Sequence, residues 1–176
     1  MDVPKHYLYR MDHDTGFAPN VKYNICTLCG CKNKKSSKRN IEELAAKGSW
    51  VIGIGGNKTG KPDKLIYAME VEENLEYDEF QRRYPTKHHE YLQWLKSKEK
   101  PGDHVLVSTK FYYFGNNAID LPEELRYIII KGRGYRTKGI DDEAVSKLKK
   151  HIKEGGYHYG KSGEPCNPPS IEGKKC

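Results

Sequence analysis

Within residues 12–31, DHDTGFAPNVKYNICTLCGC, the chain gathers a histidine, two carboxylates, a Gly/Pro-restricted turn and three thiols. Two chemistries fit such a mixture. Asp14 lies on a loop whose course Gly16 and Pro19 restrict, and it could accept from the amino edge of a base or serve as a general base. The ordinary alternative is a carboxylate that collects backbone amides within a turn. Cys26 has Lys22, Lys32 and Lys34 nearby in sequence. Neighbouring cations lower a thiol's pKa and make it a nucleophile able to add to a pyrimidine ring, with His13 or Asp14 as the available base. Free cysteines otherwise behave as small, half-buried hydrophobes. The segment shows neither helical nor strand period, and polar, turn-rich segments of that kind are where sites are built.

Metal chemistry is the third option. The five cysteines stand at 26, 29, 31, 166 and 176, an odd and clustered set unlike a secreted disulfide framework. A structural zinc would take Cys26, Cys29, Cys31 and Cys166, but no second CxxC or HxxxH follows the first pair, so reduced thiols are the expectation and no cofactor is specified. The glycines at 53, 55, 56 and 60 before Lys61 evoke a phosphate loop. Pro62 occupies the position where that loop needs a hydroxyl, and a strand pattern follows instead of a helix. Triphosphate binding is rejected there in favour of a hairpin that needs glycine, or one that lets a ligand approach the backbone.

Four successive aromatics, Phe111, Tyr112, Tyr113 and Phe114, cannot all enter one face of a strand, because alternate side chains point to opposite faces. Two are therefore expected to be available for stacking on bases, chiefly Tyr112 or Phe114, unless both faces are covered. Basic residues crowd two acid-free stretches. One runs from residue 15 to 41, with Lys22, Lys32, Lys34, Lys35, Lys38 and Arg39; the other alternates base and glycine from Lys131 through Arg133 and Arg136 to Lys138. Phosphate contacts from Lys34, Lys35, Lys38, Arg133 and Arg136 suit that placement, as would solvated loops. An acid-rich stretch, with Glu70, Glu72, Glu73, Glu76, Asp78 and Glu79, offsets them elsewhere.

The elements that must position these groups follow from local patterning. Alternation predicts a strand over 6–11, and a β-branched run too short for a helix predicts one over 50–54, with 65–71 as its return strand in a hairpin. Further strands are expected over 104–112 and over 126–130, whose unbroken apolar end implies burial on both faces. Helices are expected over 40–47, over 77–84 to a stop at Pro85, from an N-cap at Thr86 to 98 with Tyr91, Leu92 and Leu95 inward, and from Asp141 or Asp142 to 154 with Ala144, Val145, Leu148 and Ile152 inward. The order is α+β rather than βαβ. Residues 1–155 are expected to form one domain and 156–176 a Gly/Pro-rich coil in which 160–165 could act as a lid.

At 176 residues the chain is long enough for one real core. A formal charge of +7 favours a polyanionic partner, nucleic acid first. There is no apolar run near the roughly 18 residues of a membrane span and no signal-peptide pattern, so a soluble cytoplasmic protein is the expectation.

The motif Asp14-Thr-Gly-Phe-Ala-Pro-Asn20, followed by Cys26-Thr-Leu, Cys31, the 111–115 aromatic run and Leu121-Pro122, resembles the second of the nucleotide-modification-associated domain families. These are small domains of phages, bacteria and archaea linked to enzymes that alter DNA bases. Cys29 stands where that pattern has a small residue such as alanine. The sequence from Gly48-Ser49-Trp50 through the glycine loop to Tyr77-Asp78 also resembles the EVE and YTH branch of PUA-like domains. The resemblances imply a small, PUA-like, partly open β-barrel with short flanking helices, and a pocket for a nucleotide or modified base.

Asp14, Thr15, Gly16, Pro19, Thr27, Arg39, Tyr112, Tyr113 and Phe114 are the expected base- or nucleotide-binding set, with Asp14 and Cys26 catalytic if the domain is an enzyme. Three roles stay open: a reader of modified bases in a DNA-modification system, a base- or nucleotide-modifying enzyme using Cys26 and Asp14, or a basic accessory subunit that docks a modification enzyme. The base, DNA against RNA or free nucleotide, and the oligomeric state are not specified by these residues.

Overall fold

The computed structural model describes residues 3–30, 40–95, 101–132 and 134–169. Its backbone is a six-stranded sheet flanked on one side by a three-stranded sheet and on the other by a helix. In chain order the elements are β1 (Tyr7–Met11), β2 (Cys26–Leu28), α1 (Ile41–Leu44), β3 (Trp50–Gly55), β4 (Leu65–Glu70) and β5 (Glu73–Glu76). They continue with α2 (Tyr77–Arg83), α3 (Pro85–Trp94), β6 (His104–Ser108), β7 (Phe111–Tyr113), β8 (Tyr135–Arg136), α4 (Asp142–Glu154) and β9 (Gly160–Lys161). The large sheet runs β8-β1-β3-β4-β7-β9 and the small one β2-β6-β5. β1 pairs with β3, and β7 with β9, in parallel; the remaining pairs are antiparallel. The α+β class, the open β-architecture and the short helices agree with the sequence; the two sheets do not close into a barrel.

Alternation along the strands sends side chains into two cores. Tyr9, Met11, Tyr67, Met69, Phe111 and Tyr113 face the small sheet and α3, where they meet Phe17, Cys26, Leu28 and Tyr91. Leu8, Ile52, Tyr112 and Phe114 face the opposite way, onto Leu148 and Ile152 of α4 and onto Leu125 and Ile128. α4 is capped as its sequence dictates, the Asp141 side chain accepting from the Ala144 amide at 2.8 Å.

Four elements differ from expectation, the first being the helix expected over 40–47, which is the single turn Ile41–Leu44 with Ala45 as its C-cap. The segment expected to be a strand over 126–130 is a 3-10 helix, Glu123–Ile128. Leu125 and Ile128, three apart, enter the core from one side, so the spacing that counts is helical. The single strand expected over 104–112 is two strands in different sheets. Ser108 and Lys110 close a turn between them, the Lys110 amide donating to Ser108 Oγ at 2.9 Å. Pro85 begins a helix instead of merely ending one: it sits in the first turn of α3 after Tyr84, so Thr86 is not the cap. α3 buries Tyr91 and Leu95 but leaves Leu92 exposed, and the expected continuation to 98 lies outside the described residues. The strands β2, β8 and β9 are too short to show a period in the sequence. The β3–β4 glycines fit the chain itself: a Cβ on Gly53 would lie 2.4 Å from the Tyr67 ring, and one on Gly55 2.1 Å from the Lys61 carbonyl oxygen.

Candidate functional site

The loop between β1 and β2 and the segment after β9 come together over one end of the large sheet. Ser162 donates its amide to Tyr113 O at 2.7 Å, and Asn116 N and Glu164 O are joined at 2.7 Å. The segment then crosses the 14–20 loop. Cys166 donates its amide to Asp14 Oδ2 at 3.0 Å, and Asn167 clasps the Asp14 backbone twice: its amide donates to Asp14 O at 2.8 Å while its Oδ1 accepts from Asp14 N at 3.0 Å. Tyr113 donates its hydroxyl to both carboxylate oxygens at 2.8 Å. Asp14 is consequently sealed. Burial raises its carboxyl above the usual range, opposed by the Cys166 amide and the Tyr113 hydroxyl. This is the turn-carboxylate role, made between distant segments rather than within one loop.

Beside this covered carboxylate lies an open cleft of about 530 Å³, lined by Thr15 and Gly16, by Lys22, Tyr23 and Asn24, by Trp94, and by Lys161, Glu164, Pro165 and Pro168. Its aromatic wall is unusual in its backbone. Tyr23 and Asn24 both have left-handed conformations, φ 61° and 58°, and Tyr23 is 59 % exposed. Non-glycine residues there carry strain, which proteins keep chiefly where the side chain has a use. Trp94 leans edge-on against Phe17, ring centres 5.4 Å apart, and its indole N–H reaches Glu90 at 3.1 Å. Two cations stand at the cleft, each in an ion pair: Lys22 with Glu90 at 3.0 Å and Lys161 with Glu164 at 2.9 Å.

The expected site residues separate into three groups. Thr15 and Gly16 line the cleft, with Asp14 and Pro19 buried behind it. Thr27 is buried against Tyr91, their hydroxyl oxygens 2.5 Å apart. The second group lies in the core. Tyr112, Tyr113 and Phe114 are at most 2 % exposed, because the large sheet is covered on both faces, so none presents a ring to a base. Cys26 is fully buried with its sulfur 3.7 Å from that of Met69; burial pushes its thiol up to about 12 despite Lys87 nearby. Burial therefore outweighs the charge of Lys87 at Cys26; of the lysines expected to lower its pKa, Lys32 and Lys34 lie outside the described residues. Arg136 spends Nε and Nη1 on the carbonyls of Lys138 and Tyr127, at 2.7 and 2.9 Å, as a fastener of its own loop.

The third group, Cys31, Lys34, Lys35, Lys38, Arg39 and Arg133, lies outside the described residues. Of the four thiols considered for zinc, Cys26 and Cys29 are buried and Cys166 sits at Asp14; among the described residues no group of three His, Cys, Asp or Glu side chains is gathered as a metal requires. No helix among the described residues is long and apolar enough to cross a membrane.

Tyr23 and Trp94 carry no motif in the sequence, whereas Pro165 and Pro168 fall in the C-terminal coil expected to lie on the surface or drape across a site. Lys22-Tyr23-Asn24 interrupts an apolar stretch with polar residues, and Pro165-Cys-Asn-Pro168-Pro169 is stiff for a terminal coil. Those are the only local hints.

The chain matches the family described as Nucleotide modification associated domain 2, over residues 3–93 and 83–170. Among solved structures it is similar to the crystal structure of ASCH from Zymomonas mobilis, with 10 % identity and a TM-score of 0.39 over 83 % of this chain and 94 % of that one. No curated protein matches it.

Proposed function

The chain belongs to the nucleotide modification associated domain 2 family, and from that premise we propose that it binds a base or nucleotide of a DNA-modification system in the cleft between Tyr23, Trp94 and the Thr15–Gly16 turn. The observation that carries this reading is that an exposed Tyr23 on strained backbone and Trp94 both line a cleft of about 530 Å³. Flat apolar walls suit a flat heteroaromatic ring, and stacking on one aromatic is worth roughly 1–3 kcal/mol. Lys161 can leave its ion pair for a phosphate, since both partners are exposed and such pairs hold weakly, while Lys22, exposed itself, stays anchored to the buried Glu90. The basic stretches of the sequence that include Lys34, Lys35, Lys38 and Arg133 suit phosphate contacts with longer DNA. Binding rather than catalysis is favoured because Cys26 and Asp14, the candidate nucleophile and base, are both sealed from solvent.

The test is a titration of the protein with deoxynucleoside monophosphates and short DNAs, canonical and hydroxymethylated, at two salt concentrations. A preference among bases that survives the higher salt supports a formed pocket. Tyr23→Ala and Trp94→Ala should each weaken that binding at least about fivefold, with the far-ultraviolet spectrum unchanged. Unaltered affinity in both variants sinks the cleft as the site.

A further inference from the structure

The cleft is assembled from parts that do not touch in sequence, and each of its two walls is held by a buried ionisable side chain. On the C-terminal wall, the Cys166 amide ends on the Asp14 carboxylate and the Asn167 amide on the Asp14 carbonyl. The same carboxylate takes the Tyr113 hydroxyl on both oxygens, which ties the wall to β7 in the large sheet. Fit is close on this side: a Cβ on Gly16 would lie 3.0 Å from Pro165 Cγ. Asn167 extends the fastening outward by donating its side-chain amide to Lys58 O at 2.9 Å.

On the aromatic wall the fastener is Lys87 of α3, only 2 % exposed. Its ammonium donates to Asn20 O at 3.1 Å, Asn20 Oδ1 at 2.7 Å, Lys22 O at 3.2 Å and Ile25 O at 2.9 Å. Those oxygens come from both ends of the 20–25 loop, so one cation draws together the turn that carries Tyr23 and Asn24. Lys87 and Trp94 are seven residues apart on α3. Seven residues is two helical turns, which puts both on one helix face. The helix that presents Trp94 therefore also fixes the loop that presents Tyr23.

Resting on the binding reading above, we propose that Asp14 and Lys87 are the positioning residues of the cleft: neither touches the ligand, Asp14 holds the C-terminal wall and Lys87 holds the Tyr23 wall, and binding requires both. A preformed site needs its walls fixed before the ligand arrives, since ordering them on binding subtracts from affinity. Charge-assisted hydrogen bonds shielded from water are suited to that task.

The experiment compares wild type, Asp14→Asn and Lys87→Met by amide hydrogen exchange and by titration with dCMP, its hydroxymethylated form and a short DNA. Asp14→Asn should speed exchange at Cys166 and Asn167 by about tenfold or more, and Lys87→Met should do so across residues 20–27. Amides of β3 and β4 should keep their protection in both. Affinity should fall at least about tenfold in each variant, although Tyr23 and Trp94 are intact.

Unchanged local exchange overturns the clamps, and so does an equal loss of protection in β3 and β4, which marks a merely structural role. If Lys87→Met does not fold, Lys87→Gln retains part of the donor set and should give a smaller effect confined to the same residues; wild-type exchange there overturns the proposal. Local loosening with undiminished affinity overturns the requirement for binding. Wild type that binds none of the probes overturns the binding reading itself, a result separate from the exchange data on the clamps.

Discussion

Asp14 and Lys87 are both sealed in the protein and both hold a wall of the same cleft, yet they do so with opposite charge and opposite partners. Asp14 is an anion met by one hydroxyl and one amide, on a segment that arrives from the far end of the chain. Lys87 is a cation inside a ring of oxygens supplied by a single short loop. Their shifts run toward neutrality in each case. Burial lifts the Asp14 carboxyl and lowers the Lys87 ammonium to about 8, with Cys26 and Glu90 acting to raise Lys87 and Lys22 to lower it. The contrast teaches that dense hydrogen bonding does not abolish the desolvation of a buried charge. The two shifts converge, the carboxyl of one wall moving up and the ammonium of the other moving down.

The sharpest way to break this comparison is to delete the cation. Lys87→Met takes the ammonium from four oxygens, of which Asn20 O, Asn20 Oδ1 and Lys22 O keep the amides of Thr27, Lys22 and Ile25 as donors. It should lower unfolding stability by about 2–4 kcal/mol in urea melts near neutral pH. A loss well under 1 kcal/mol would mean that water replaces the ammonium and that the clamp is weak.

The pH dependence separates the two clamps. A lysine whose native pKa lies below its unfolded value binds fewer protons when folded, so its contribution to stability rises with pH through the interval from about 8 to the ordinary lysine value of 10.5. Tyrosines titrate in the same region, so the diagnostic is the difference between wild type and Lys87→Met, which should favour wild type by about 2 kcal/mol more at the upper end than at the lower. For Asp14 the native pKa is raised. Its contribution is fully present below the unfolded value of 3.8 and is lost as pH rises through the raised native value. Wild type should gain on Asp14→Asn as pH falls through that interval, measured by urea melts of the two. A difference that is flat with pH in either pair removes that residue from the comparison.

Asp14→Asn near neutral pH should be milder, about 1–2 kcal/mol, because losing the Cys166 bond is offset by burying an amide instead of a carboxylate. The smallest effect comes from the strained turn. Tyr23→Gly should stabilise the fold by roughly 0.5–1 kcal/mol, as glycine tolerates the left-handed backbone, while weakening nucleotide binding at least about fivefold. Opposite signs in melt and titration would show that the strain is kept for the ligand. Equal signs would place Tyr23 among ordinary loop residues.

Legibility in the sequence tracked the range of the interactions. α4 could be read in full, since its cap at Asp141 and its inward residues Ala144, Val145, Leu148 and Ile152 all lie within thirteen residues. β1 is readable from alternation, and β3 and β4 from a β-branched run and its return strand. The 14–20 loop was recognisable as special from its glycine, proline and carboxylate, and it does border the cleft. For the aromatic run from Phe111, alternation tells that two faces are occupied but not whether the second is open or covered, and α4 covers it. Cys26 misled in the same manner: lysines near it in sequence suggested an activated thiol, while its depth between the sheets decided the matter.

By itself the sequence determined the class of the fold and its family and marked the 14–20 loop as polar and turn-rich, because those rest on local periodicity, turn chemistry and short motifs. Only the tertiary structure decided what the loop does. Asp14 meets Asn167 across 153 positions, and Lys87 reaches Asn20 across 67. No spacing rule links residues so far apart. Their roles exist only once the chain has closed, when burial removes water as a competing partner and leaves each charge to bind the wall beside it.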